Sequence, residues 1–281
     1  KHLVFKDITY KTANNGYAGG FGHAASVTFI NCKIIGQFYA HSEAPHYFYD
    51  CTIDPLTGYL YTYGSDCVFE GCTFEASEGK ALQVYGEADV ECDVTIKDCT
   101  FKAAKQATTW DGKDVTGIDI NSANGYRVNV TIENCTTTGF PTGNSGSDLY
   151  NIKDGGVDKV NLVIDGKYIV RRGYTAVAGY PNIWLKDNNF YVYDLDGLKD
   201  LQKFFADNSM DNSVWGRTYN ICEDIDAAGY TWNGVYMITG DNTRNGIVID
   251  GNGKTITNLT IKDYLLSGTA DGADDGTAPG E

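Results

Sequence analysis

The sequence predicts an all-β chain, a right-handed parallel β-helix with a short amphipathic capping helix and further β structure toward its C-terminal end. Two observations carry this. Five cysteines share one context: FINCKI (Phe29 to Ile34), FYDCTI (Phe48 to Ile53), FEGCTF (Phe69 to Phe74), IKDCTF (Ile96 to Phe101) and IENCTT (Ile132 to Thr137). The residue before each of them is Asn, Asp or Gly, the types that best tolerate a left-handed backbone. A repeated context with one residue type at one phase is the mark of stacked coils.

The first strand of each coil reads V-x-F, as in Val27 and Phe29, and the second reads C-x-I, as in Cys32 and Ile34. Alternation within a strand puts every second residue on one face. One left-handed residue between the two strands bends the chain and shifts the alternation by one. Both pairs then face the interior on either side of a corner. The same phase recurs at FKDIT (Phe5 to Thr9), IDGKYI (Ile164 to Ile169), LKDNNF (Leu185 to Phe190) and IKDYLL (Ile261 to Leu266). The corner column therefore reads Asn31, Asp50, Gly71, Asp98, Asn134, Gly166, Asp187 and Asp263.

Spacing between the cysteines is 19, 21, 27 and 36 residues. Coils of short strands absorb such variation in surface turns. A third strand follows from GQFYAHS (Gly36 to Ser42), TGYLYTYG (Thr57 to Gly64), KALQVYG (Lys80 to Gly86), TGIDINS (Thr116 to Ser122) and SDLYNIK (Ser147 to Lys153). Its inward residues are expected to be Phe38 and Ala40, Leu60 and Thr62, Leu82 and Val84, Ile118 and Ile120.

After Tyr193 the texture changes. Asp194 to Asn208 reads as a helix, with Leu198, Leu201, Phe204 and Phe205 at helical spacing and Asp194 or Asp196 as its cap. An open β-helix end exposes apolar core and unpaired backbone, so a cap is a physical need. Strand-like segments follow over Thr218 to Asp226, Gly234 to Gly240 and Gly246 to Asp263, the last with a DGNG turn. The expected organisation is a β-helix over 1–193, a helix with further coils over 194–266, and an acidic disordered linker over 267–281.

Eight cysteines invite disulfides. Stacked on parallel strands about 4.8 Å apart, however, their Cβ vectors run parallel, at a separation above the ~3.8 Å that a disulfide prefers. Buried thiols in a ladder are expected, with Cys67 in a valine-like core place and Cys92 and Cys222 without a clear register. No CxxC or Cys/His cluster points to zinc. Neither a metal nor a cofactor is expected.

A formal charge of −15 argues against nucleic acid and anionic membrane surfaces. No run of about 18 apolar residues is present, so no membrane-inserted helix is expected. Abundant Gly (33) and Tyr (20) with scarce Pro (5) suit short strands and tight turns. The chain begins at Lys1 without a signal-peptide pattern and is expected to be a mature form or an excised piece.

The coils resemble the pectate-lyase-like right-handed β-helix superfamily. The V-T-[FI]-x-[ND]-C-T-[FI] context over 1–193 is similar to surface proteins of gut bacteria described as adhesin-like. EDIDAAGYTWNGVYM, followed by IDGNGKTITNLTI, resembles the start of another surface β-helix module. The resemblance implies a secreted or cell-surface location and neighbouring modules of a longer chain. Enzymes of the superfamily place acidic and basic groups on the outer face of one stacked strand.

Here that face is expected to present Tyr39, His41, Tyr61, Tyr63, Gln83, Tyr85, Asp119, Asn121 and Tyr150. Rings beside amides and carboxylates suit a sugar, whose hydroxyls need donors and acceptors. A solvated β-face with aromatics chosen for strand propensity is the plainer alternative. Trp110 and Trp184 are further candidates as a ligand platform or as covers of the core. No catalytic residue is assigned. Asp111, Asp114 and Asp119 cluster in sequence, and Arg127, Arg171 and Arg172 exist, but none sits in a lyase or polygalacturonase motif. The expected function is a non-catalytic adhesin-like protein that binds a polysaccharide or surface glycan. The alternatives are a polysaccharide lyase or glycoside hydrolase, and a structural spacer in a surface array.

Overall fold

The computed structural model describes residues 1–12, 21, 24–77, 81–86, 90–103, 115–121, 127–143, 145–153, 157–208, 214, 216–233 and 247–262. The chain divides into two compact units, Lys1–Gly173 and Tyr174–Glu281.

The first unit is a parallel β-helix with three walls. Strands His2–Lys6, Ser26–Ile30, His46–Tyr49, Cys67–Glu70, Cys92–Lys97, Val128–Glu133 and Val160–Ile164 stack in parallel as the first wall. Thr9–Lys11, Lys33–Ile35, Thr52–Asp54, Thr73–Ala76, Thr100–Ala103 and Thr136–Thr138 form the second. Phe38–Tyr39, Leu60–Tyr61, Leu82–Tyr85, Ile118–Asn121 and Tyr150–Ile152 form the third.

The corner between the first two walls is a single left-handed residue: Asp7, Asn31, Asp50, Gly71, Asp98 and Asn134 all have φ between 48° and 66°. Val27, Phe29, Cys32 and Ile34 are buried on both sides of it. The corners also bond to one another along the stack, since the Asn134 amide donates to Asp98 Oδ1 at 2.6 Å. Phe5, Phe29, Phe48 and Phe69 form an inner ring stack with centroids 4.9, 5.3 and 4.8 Å apart. Ile96 and Ile132 continue that column. The inward residues expected for the third wall, from Phe38 to Ile120, are all buried.

All eight cysteines are free thiols. In the ladder each Sγ donates to the carbonyl two residues back, as Cys51 does to Tyr49 O at 3.2 Å, and to a carbonyl of the preceding coil, Phe29 O at 3.5 Å. A thiol fills a small apolar place and still serves a corner carbonyl. Cys67 lies in register with His46 and Val94, in the column that contains Val27. Cys92, without a clear register in the sequence, pairs with Val128 and is fully buried.

Two expected corners are hairpins. At Asp165–Gly166 and at Asp187–Asn188 two consecutive residues have positive φ. Each of these two pairs is the two-residue turn of a hairpin. Lys167–Val170 accordingly returns antiparallel on Val160–Ile164, and Asn189–Val192 on Tyr180–Lys186. Parallel stacking in this unit therefore ends at Ile164, and the unit at Gly173 rather than at 193. The third such position, Asp263, lies outside the described residues.

The second unit starts with antiparallel strands Thr175–Val177, Tyr180–Lys186 and Asn189–Val192. Parallel pairing resumes from Asn189–Val192 to Thr218–Ile221 to Val248–Asp250. Ile225–Asp226 pairs with Ile256–Thr257, and Thr231–Asn233 with Thr260–Lys262. Helix α1 (Leu195–Asp207) is capped by Asp194, whose Oδ1 accepts from the Gly197 N–H at 2.7 Å. Its Leu198, Leu201, Phe204 and Phe205 seal the apolar core of their own unit with Ile183, Phe190, Val192 and Tyr219. Trp184, in strand Tyr180–Lys186, is buried and is not an exposed ligand platform. The segment 234–240, the linker 267–281 and Trp110 lie outside the described residues. No helix among the described residues is long and apolar enough to cross a membrane.

Candidate functional site

The outer face of the third wall is set by its register. Tyr39, Tyr61, Gln83, Asp119 and Asn151 fall in one outward column, and Tyr85 pairs with Asn121 two residues along. Tyr39 and Tyr61 stack with centroids 4.6 Å apart, and Tyr63 and Tyr85 stack at 5.3 Å. Tyr59 meets Tyr61 edge-on at 4.6 Å, and His41 lies 5.4 Å from Tyr63. The Gln37 amide donates to the Tyr39 hydroxyl at 3.0 Å. The expected residues from Tyr39 to Asn121 thus share one face. They are half-buried, with Tyr39 almost covered, rather than fully solvated.

Tyr150 is a correction. Register pairs it with Ile118, an inward residue, and it packs against the apolar core. Its neighbour Asn151 takes the outward place and is buried. A one-residue offset in a strand exchanges its two faces. Tyr59, two residues before Tyr61 and absent from the expected set, adds its ring to this cluster.

Three buried polar atoms on this face have no hydrogen-bond partner among the described residues: His41 Nδ1, Gln83 Oε1 and Asn151 Oδ1. Buried polar atoms are ordinarily paired, so three on one face mark a place where a polar ligand or water completes the bonding. Burial pushes the Asp119 carboxyl up to about 6, against the lowering effects of an Asn151 hydrogen bond and the Lys153 charge. Burial likewise raises the Tyr61 hydroxyl, with the neighbouring Tyr59 and Tyr39 adding to it. The face is therefore aromatic, amide-rich and weakly charged.

Asp111 and Asp114, expected near Asp119, lie outside the described residues. Among the described residues no group of three or more His, Cys, Asp or Glu could hold a metal ion. The arginines go elsewhere. Arg171 sits over the Tyr168 ring, 3.6 Å from its centroid, and Arg172 pairs with Glu91 on the first wall. That pair joins residues 81 apart in sequence, and no local pattern announced it.

The family model described as a right handed beta helix region matches residues 7–162. No curated protein and no solved structure matches the chain.

Proposed function

The chain belongs to the right-handed β-helix family, and from that premise we propose that it is a non-catalytic, adhesin-like module of the cell surface that binds a glycan along the outer face of its third wall. The observation that carries this reading is the trio of unpartnered buried atoms, His41 Nδ1, Gln83 Oε1 and Asn151 Oδ1, beside the tyrosine stacks. A sugar hydroxyl both donates and accepts, so one ligand class satisfies all three. Tyrosine faces are largely used by neighbouring rings. The glycan is therefore held by hydroxyl groups and ring edges, with stacking only at the ends of each ring pair. The surface location rests on the resemblance to adhesin-like proteins.

A second reading, a polysaccharide lyase or glycoside hydrolase, draws on Asp119. A carboxyl held near 6 is in the range of a general acid. One experiment separates the two. Affinity electrophoresis against a panel of plant and microbial polysaccharides is run beside assays for reducing-end release and unsaturated products. The proposal expects retardation by at least one polymer, weakened in Gln83→Leu and Tyr61→Ala, without degradation. Release of product that is lost in Asp119→Asn establishes the enzyme instead. No retardation by any polymer leaves the spacer role.

A further inference from the structure

The first wall carries a polar cleft of its own, unrelated to the tyrosine face. Register stacks Asp93, Asn129 and Asn161 in one outward column and Thr95, Thr131 and Val163 in the next. The Asn129 amide donates to Asp93 Oδ1 at 2.7 Å and to Glu91 Oε1 at 3.0 Å. Its carbonyl accepts from the Asn161 amide at 2.9 Å and from Arg172 Nη2 at 2.9 Å. The hairpin at Asp165–Gly166 brings Tyr168 back opposite Val163. The chain then delivers Arg172, whose backbone N–H donates to Asn161 Oδ1 at 2.8 Å and whose guanidinium pairs with Glu91. A cleft of about 290 Å³ lies among these groups, with Thr131, Val163, Tyr168, Arg172 and Glu91 in its lining.

The chemistry of the cleft is specific. Asn129 has used both amide hydrogens and carbonyl lone pairs and is structural. Arg172 and Glu91 neutralise each other, yet Arg172 Nη1 has no partner among the described residues. Glu91, 42% exposed, keeps lone pairs to offer. A fixed donor beside a fixed acceptor matches two adjacent hydroxyls: one accepts from the guanidinium and one donates to the carboxylate. Tyr168 is 39% exposed and Val163 lies opposite it, so the C–H face of a ring finds apolar contact. An anion would meet Glu91 and Asp93 on a chain of net charge −15. The volume lies at the lower limit of small-molecule sites, about 300 Å³, which suits one sugar ring and not a chain. We propose that this cleft binds a single neutral pyranose unit, a second carbohydrate site that does not depend on the third wall.

The test is saturation-transfer NMR on the full chain. The probes are the methyl glycosides of glucose, galactose, mannose and N-acetylglucosamine, with galacturonic acid as the anionic comparison. At least one neutral glycoside is expected to bind. Its affinity should fall tenfold or more in Tyr168→Ala and in Thr131→Leu, which fills the cleft from its lining, with melting temperatures tracked to confirm folding. The third-wall variant Gln83→Leu should keep this binding, so failure of the third-wall reading and failure of this one are distinguishable. Absence of binding by every neutral probe, binding that survives both cleft variants, or preference for galacturonic acid overturns the proposal.

Discussion

The Asn31 side-chain amide donates to Asp7 Oδ1 across one coil at 2.7 Å, and both residues hold the left-handed corner, with φ of 49° and 56°. Backbone geometry and side-chain bonding are thus served by one residue. The bend needs a residue that tolerates positive φ, and the stack gains a bond if that residue is Asn or Asp.

Asn31→Ala removes both features. The left-handed conformation costs an alanine about 1–2 kcal/mol, and the exposed hydrogen bond adds about 0.5–1 kcal/mol. Asn31→Gly keeps the bend and should lose only the bond. Urea unfolding of the two variants should therefore rank wild type above Gly and Gly above Ala. Equal loss in both would assign the whole effect to the hydrogen bond.

Phe48 is fully buried between Phe29 and Phe69, with rings 5.3 and 4.8 Å away. Phe48→Ala opens a cavity in the middle of the stack and should cost about 3–5 kcal/mol. Phe48→Leu, which refills most of the space, should cost clearly less. Denaturant midpoints of the pair check this.

Burial raises the Cys67 thiol and pushes Cys92 up to about 12. Both should stay protonated and unreactive at neutral pH. Seven of the eight cysteines, all but Cys222, line the first unit's core, so a thiol reagent should label them slowly in the native state and all eight after guanidinium denaturation. Burial of Cys67 and Cys92 also makes stability fall as pH rises from 9 toward 12, because the folded chain holds protons that the unfolded chain releases. Rapid native labelling of Cys67 and Cys92 would contradict the packing described.

Asp119 moves from an ordinary 3.8 to about 6 in the fold. The folded state holds its proton more tightly, so its contribution to stability is present below 3.8 and is lost as pH rises through 6. Asp119→Asn should match wild type near pH 4 and exceed it at pH 7 by roughly 1–3 kcal/mol, since each tenfold change in proton affinity is worth about 1.4 kcal/mol. A stability gap that does not change with pH would show that the carboxyl titrates normally.

Much of the candidate site was legible because strand alternation is local. Tyr39, Tyr61, Gln83 and Asp119 share a face since every second residue does. Tyr150 and Asn151 were not separable that way, because both flanking residues suit either face. Only pairing with Ile118 and Asp119 chooses between them. Arg172 and Glu91 were illegible, since their meeting depends on how many coils lie between them and on a hairpin that turns the chain back.

The amino-acid sequence by itself determined the coils, the inward columns and the corners from Asp7 to Asn134. Positive φ at Asn, Asp and Gly and two-residue alternation are properties of a few adjacent residues. The tertiary structure decided where stacking stops. At Asp165–Gly166 and at Asp187–Asn188 two left-handed residues stand where the corners have one, and there the chain turns back into an antiparallel strand. That second φ is settled by the strand that each segment finds to pair with. The same long-range pairing placed Asn151 on the outer face and carried Arg172 across to Glu91.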